Sequence, residues 1–228
     1  MITFIIPTKN EPNVTELIDK IKEVMAKLDE EYAVSLIDCS TDNTPEVARQ
    51  AGATVIPQKS KGLGGALKES LQMVDTDIAF TMDADMSHNP QHIPAFLSKI
   101  KEGYDVVVGS RKMKGGQTIN WGLKRHLISN GANFLGRYLG GIKVSDLTSG
   151  YRAYRMNAIR SIDLENVKSS GFAFQVEILF HLLNNGFKAT SVPIIFFNRE
   201  RGESKLSGKE IREYAQTVLR LAIYRIFR

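Results

Sequence analysis

The sequence predicts an α/β protein, a single domain whose mostly parallel central sheet is flanked by helices and followed by a C-terminal amphipathic helix. Three observations predict it. Short β-branched, apolar runs alternate with stretches of 3.6-residue apolar period, the order expected of right-handed crossovers in a parallel sheet. Polar residues fall directly after successive strand-like runs, and in such sheets ligands bind beyond the carboxyl ends of the strands. The 228 residues, 43% hydrophobic and 24% charged, suffice for one domain with a sizeable core.

Residues 3–8 (TFIIPT) read as the first strand. Pro12 and Asn13 then open a helix, with Asn13 as its cap and Glu16 three residues on. Val14, Leu17, Ile18, Ile21, Met25 and Leu28 supply its apolar face. Residues 33–37 read as a strand, 44–51 as a short helix and 55–56 as a brief strand. The 62–65 turn (GLGG) leads into a helix that ends near residue 74. A strand at 78–82, a helix at 90–100 and a strand at 105–109 (DVVVG) follow. Farther on, 122–139 reads as helix, 151–155 as strand, 174–184 as helix and 190–197 as strand. There is no internal repeat or linker, so residues 1–208 read as one domain and 209–228 as a C-terminal helix.

Composition excludes several classes. Cys39 is the single cysteine and cannot form an intramolecular disulfide, and no charged-then-apolar leader opens the chain, so a cytoplasmic location is expected. No apolar stretch approaches the roughly 18 to 20 residues that span a bilayer. The net charge of +5 is unevenly spread: residues 111–145 carry seven basic residues and no acidic one, and 199–228 carry eight against four glutamates. Such fields attract phosphates. Nucleic acid is discounted, because no zinc-finger or RNA-recognition signature accompanies the basic residues.

The polar punctuation at the strand ends is Lys9, Asn10 and Glu11 after the first, Asp38 after the second, Asp83 and Asp85 after the fourth, and Arg111 after the fifth. Asp83-Ala84-Asp85 suits a divalent cation, since two carboxylates supply hard oxygen ligands and leave sites for a diphosphate. A strand-to-helix turn with a capping aspartate is the alternative. Crowded carboxylates without a cation repel one another, which favours a shared ligand at the rim.

The motifs in order are 7–11 (PTKNE), 38–44 (DCSTDNT), 62–65 (GLGG), 83–90 (DADMSHNP), 109–111 (GSR), 124–129 (KRHLIS), 146–152 (DLTSGYR), 174–177 (FQVE) and 202–206 (GESKL). Together they resemble the catalytic domain of polyprenyl-phosphate glycosyltransferases of the dolichol-phosphate mannose synthase kind, within the family 2 inverting glycosyltransferases of GT-A fold. The resemblance implies transfer of a hexose, mannose from GDP-mannose foremost, onto a polyprenyl or dolichyl phosphate, with UDP-glucose the alternative donor. It implies Mg²⁺ or Mn²⁺ at Asp83 and Asp85, and a nucleotide-sugar pocket of Pro7, Thr8, Asn10, Glu11, Asp38, Lys61, Asp83, Ala84 and Asp85. It places Arg111, Arg125, Ser129, Arg152, Arg199 and Lys205 on the acceptor phosphate, and Asp85, Arg111, Gln175 and Glu177 at the reacting centre. A nucleotidyltransferase or a silent binding relative is the rival reading.

The chain departs from the family pattern at Lys9, where an aromatic is usual, at Ile37, where an acid is usual, and at Ser87, where a ligating amide is usual. His88 next to it is open to a ligand or a surface role. Residues 209–228 form a wide apolar arc edged by Arg212, Arg220, Arg225 and Arg228, which suits an interfacial helix on the cytoplasmic face of a membrane. Packing on its own domain, or on a membrane-anchoring partner subunit, would produce the same pattern.

Overall fold

The computed structural model describes residues 1–198 and 208–227. In chain order the elements are β1 Ile2–Thr8, α1 Val14–Met25, β2 Tyr32–Asp38, α2 Thr44–Gln50, β3 Thr54–Pro57, α3 Gly62–Met73 and β4 Ile78–Thr81. A 3₁₀ turn, Pro90–His92, then leads into α4 Ile93–Lys101, β5 Val106–Ser110, β6 Gln117–Ile119, α5 Leu123–Tyr138 and β7 Arg152–Arg155. The chain continues with α6 Met156–Arg160, a 3₁₀ turn at Leu164–Asn166, α7 Gly171–Asn184, β8 Ala189–Pro193, β9 Ile195–Phe197 and α8 Gly208–Ile226.

Seven strands form the main sheet in the order β3-β2-β1-β4-β7-β5-β8. β1, β2, β3 and β4 pair in parallel, and β5 pairs in parallel with β8. β7 lies antiparallel between β4 and β5, so those two neighbours point the same way. The carboxyl ends of β1, β2, β4 and β5 therefore share one rim, as the α/β reading requires.

Alternation along β1 explains why both faces are covered. Ile2, Phe4 and Ile6 face a core with α1, α2 and α4, while Ile5 faces a second core with α3, α6, α7 and α8. Three details differ from the sequence reading. Asn13 makes no side-chain cap on α1. The strand expected at 190–197 breaks at Ile194, after Pro193, and its second half leaves the main sheet to pair with β6 in a separate two-stranded ribbon. The helix expected at 90–100 begins as a 3₁₀ turn capped by Asn89, whose side chain accepts from Gln91 N–H.

Candidate active site

A cavity of about 560 Å³ opens at this rim. Pro7, Thr8, Lys9, Glu11, Cys39 and Gly62 line one part of it, and Asp83, Ala84 and Asp85 another. Arg111, Trp121, Arg125, Ser129 and Thr148 supply its cationic and polar lining. The cavity then continues between α3, α5 and α8 along Leu63, Ala66, Ile128, Ala132, Leu135, Phe172, Ile211 and Ala215. One space thus joins acidic, basic and apolar regions.

Asp83 and Asp85 stand beyond β4 in a bend, not in extended chain. The bend is pinned from within: Asp83 N–H donates to His88 Nδ1 at 2.9 Å and Ser87 N–H to Asp85 Oδ1 at 3.1 Å. Between them Met86 adopts a φ of 64°, a conformation that side chains other than glycine rarely hold. His88 is buried, stacked on Tyr151 and set edge-on to Phe196. Burial lowers its pKa, against the opposing pull of Asp83, and keeps the imidazole neutral at physiological pH. It is therefore a strut of the bend, and neither a surface residue nor, through Nδ1, a free ligand.

Two carboxylates on one cavity wall fit a divalent cation that draws its other ligands from a diphosphate and water. Asp83 Oδ1, His88 and Gln175 Nε2 gather around the lining residue Gly150, at 3.5, 3.5 and 3.6 Å from where its Cβ would stand, which are ordinary contact distances. No cluster of three or more acidic, histidine or cysteine side chains that could hold a metal occurs among the described residues. Ser87, where an amide ligand is usual, is buried with its hydroxyl unpaired among them.

The basic region is organised by a carboxylate. Arg111 donates from Nε to Asp146 Oδ2 at 2.7 Å and from Nη2 to Asp146 Oδ1 at 2.9 Å. Its Nη2 also reaches Thr148 Oγ1 at 2.8 Å, and Thr148 in turn meets Ser129 Oγ at 3.1 Å. Asp146 is fully buried. Burial pushes its pKa up, but the charge and hydrogen bonds of Arg111 outweigh that and hold it below the usual carboxylate range.

An aromatic pair carries both arginines. The Arg111 guanidinium lies 4.8 Å from the Trp121 ring and 5.3 Å from that of Phe196, and Arg125 lies at 4.4 and 5.6 Å from the same two rings. Arg125 Nη1 also donates to Asn198 Oδ1 at 2.7 Å. Each cation over these rings is attracted by their π electrons, so the aromatic pair favours positive charge here.

The cavity brings together Pro7, Thr8, Glu11, Asp83, Ala84, Asp85, Arg111, Arg125 and Ser129 of the expected site. Others stand elsewhere. Asn10 pins the rim loop, accepting from Thr41 N–H at 2.8 Å and donating its own N–H to Ser40 Oγ. Asp38 is buried behind the wall, accepting from Ser40 N–H and Oγ, and Cys39 lines the cavity in its place. Lys61 is exposed at the start of α3, one residue before the lining Gly62.

Two expectations are corrected. Arg152 is fully buried and donates to the carbonyls of Leu147, Ser149 and Gln175, so it holds backbone and cannot receive an acceptor phosphate. Glu177 lies outside the cavity lining; it accepts from Ser169 N–H and Oγ and from Arg220 of α8 at 2.8 Å. Burial raises its pKa, but the His181 ring at 3.8 Å, the bonds from Ser169 and the Arg220 charge bring it to about 2. Gln175 is buried too, but its Nε2 lies 3.6 Å from where a Cβ on the lining residue Gly150 would stand, almost as near as Asp83 Oδ1, so it stays beside the expected centre. Arg199 and Lys205 lie outside the described residues.

Several lining residues were missed: Trp121, Phe196, Phe172, and Ile211, Tyr214 and Ala215 of α8. Trp121 carried a signal, being the single tryptophan and sitting inside the acid-free basic segment. Asp146 carried another, as the first acid to follow that segment.

The family model for glycosyl transferase family 2 matches residues 3–163. The chain belongs to glycosyl transferase family 2. It is a glycosyltransferase of GT-A fold. It is 34% identical to an undecaprenyl-phosphate mannosyltransferase of Micrococcus luteus, over 95% of this chain and 91% of that protein. It is 36% identical to a polyprenol monophosphomannose synthase of Mycolicibacterium smegmatis, over 92% and 82%. It is 37% identical to a dolichol-phosphate mannosyltransferase of Pyrococcus furiosus, over 96% of this chain but 63% of that longer protein. Among solved structures, glucosyl-3-phosphoglycerate synthase of Mycobacterium tuberculosis with Mn²⁺, UDP and phosphoglyceric acid superposes with a TM-score of 0.73 at 21% identity, covering 97% of this chain and 78% of that one. That likeness concerns the fold.

Proposed function

We propose that the protein transfers a hexose, mannose from GDP-mannose, onto a polyprenyl phosphate at the cytoplasmic face of a membrane, with inversion at the anomeric carbon. The continuity of the cavity carries this reading: an acidic pair, a pair of arginines and an apolar passage lie along one space. The named relatives act on polyprenyl or dolichol phosphates and support the acceptor class.

In this reading an oxygen of the acceptor phosphate, already ionised near neutral pH, attacks the anomeric carbon. The bond from that carbon to the diphosphate oxygen breaks, and the nucleoside diphosphate leaves with the electron pair. No proton needs removal from the nucleophile, so a strong general base is unnecessary. The residues must position and desolvate the acceptor instead. Arg125 and the Asp146-oriented Arg111 present planar donors to the phosphate. Ser129 adds a hydroxyl, and the passage along Ile128, Ala132 and Ile211 takes the prenyl chain. Glu11 and the neighbouring rim loop face the nucleoside. A Mg²⁺ or Mn²⁺ ion held by Asp83 and Asp85 would neutralise the charge that develops on the leaving diphosphate.

No helix among the described residues is long and apolar enough to cross a membrane. Attachment at the surface, directly or through an anchoring subunit, fits a lipid acceptor. Transfer of radiolabelled sugar into organic-extractable lipid, assayed with GDP-mannose and UDP-glucose, tests the proposal. Label from GDP-mannose entering lipid only when polyprenyl phosphate is supplied is the expected result. Label from UDP-glucose alone overturns the choice of donor, and no lipid label from either donor overturns the function.

A further inference from the structure

A second hollow, of about 490 Å³, lies beside α5 and shares no lining residue with the active-site cavity. Lys112, Arg137 and Lys143 line it, and none of its lining residues is acidic. Lys112 is half-buried there, with Nζ donating to Asn130 Oδ1 at 2.5 Å. Burial lowers its pKa, so an incoming anion would relieve an unfavourable position. The Ser145 hydroxyl in the same lining is buried without a partner among the described residues.

The rim of this hollow is aromatic and exposed. Phe134 and Tyr138 stack at 5.8 Å with their rings 3° from parallel, and they are 66% and 75% exposed. Leu123 and Leu127, 75% and 64% exposed, fall on the same face of α5 by helical spacing. α8 is held against α5 by the Tyr214 hydroxyl, which donates to Ala132 O at 2.9 Å, and it adds exposed Leu219, Ile223 and Phe227. Large apolar side chains collected on two adjoining helices mark an interaction surface. A basic hollow opening among them selects a surface that is itself apolar and anionic.

We propose that the Lys112–Arg137–Lys143 hollow binds the phosphate headgroup of an anionic phospholipid, seating the exposed face of α5 and α8 on the bilayer. The proposal rests on the membrane-surface reading above and deepens it, because it assigns a lipid site distinct from the acceptor site. A soluble phosphate ester offers the same headgroup chemistry without the chains that would cover Phe134 and Leu127.

Sedimentation of the full chain with phosphatidylcholine vesicles, with and without phosphatidylglycerol at fixed salt, tests it. Arg137→Ala with Lys143→Ala should weaken binding to the anionic vesicles about thirtyfold, taking roughly fivefold per basic residue at a charged bilayer. Phe134→Ser should weaken it as well. Transfer to a water-soluble, short-chain polyprenyl phosphate should match that of the unsubstituted chain. Undiminished vesicle binding by the double variant overturns the proposal. So does displacement of the chain from vesicles by glycerol phosphate at matched ionic strength, which would make a small phosphate the occupant. Absence of short-chain transfer by the unsubstituted chain overturns the enzymatic reading instead, while the vesicle measurement still decides the lipid site.

Discussion

Arg111 grips Asp146 through both carboxylate oxygens, and the pair is almost wholly buried, at 6% and 0% exposure of the two side chains. A guanidinium so fixed keeps its charge at one place and one angle, which is what recognition of a phosphate monoester needs. Asp146→Asn leaves Arg111 without its counterion. Loss of one partner of a buried pair costs about 3 to 5 kcal/mol. Urea unfolding should therefore show a lowered midpoint, and the folded fraction should have a raised KM for acceptor with the donor KM unchanged. If the variant does not fold, Thr148→Val removes only the hydroxyl between Arg111 and Ser129 and should give the same acceptor effect with a smaller loss of stability.

Glu177 serves structure, joining α7 to α8 through Arg220 and to the segment before α7 through Ser169. Its folded pKa of about 2 lies below the 4.5 of an ordinary glutamate. The folded state therefore binds protons less readily than the unfolded chain. Its contribution is fully present above pH 4.5 and is lost as pH falls from there towards 2. Asp146, shifted in the same direction, adds to that acid sensitivity. Glu177→Gln should lower stability at neutral pH and flatten its decline between pH 4.5 and 2, measured by denaturant midpoints across that range. A kcat that collapses while stability is unchanged would return Glu177 to the reacting centre.

The rim was legible because its residues follow strands whose β-branched, apolar runs are unmistakable, and a parallel sheet forces their ends together. The basic side was less so. β7 is an antiparallel insertion, and the partners of Arg111 come from 35 to 37 residues away, a pairing that local periodicity does not encode. Arg152 misled for a related reason: its motif marks it as basic, while its burial depends on carbonyls of the loop before β7 and of α7. The α5 and α8 wall was half visible, since amphipathic spacing reveals an apolar face but not which neighbour covers it.

Asp83 and Asp85 share a bend whose hydrogen bonds run through His88 and Ser87. Asp85→Ala should leave the fold intact, because Asp85 lies on the cavity wall outside both hydrophobic cores and its bond to Ser87 N–H serves only the bend. Transfer should fall by about a hundredfold or more, the scale of removing several kcal/mol of charge stabilisation from the leaving group. Chelation of divalent ions should inhibit the unsubstituted chain and Mg²⁺ or Mn²⁺ should restore it, with circular dichroism unchanged throughout. Full activity of the unsubstituted chain in excess chelator would remove the metal from the mechanism.

Trp121 lies under both arginines proposed to hold the acceptor phosphate, and its effect should appear in binding more than in turnover. Each cation–π contact at a partly shielded site is worth about 1 kcal/mol, so loss of both is worth about 2 kcal/mol. Trp121→Ala should accordingly raise the acceptor KM by about thirtyfold, with kcat and the donor KM little changed. Trp121→Phe keeps a smaller π face and should recover part of that loss, whereas Trp121→Leu, which keeps apolar bulk but no quadrupole, should not. Equal recovery by Phe and Leu would mean that the ring merely fills space beside Phe196. Recovery by Phe alone assigns the effect to electrostatics between the ring and the paired guanidinium groups.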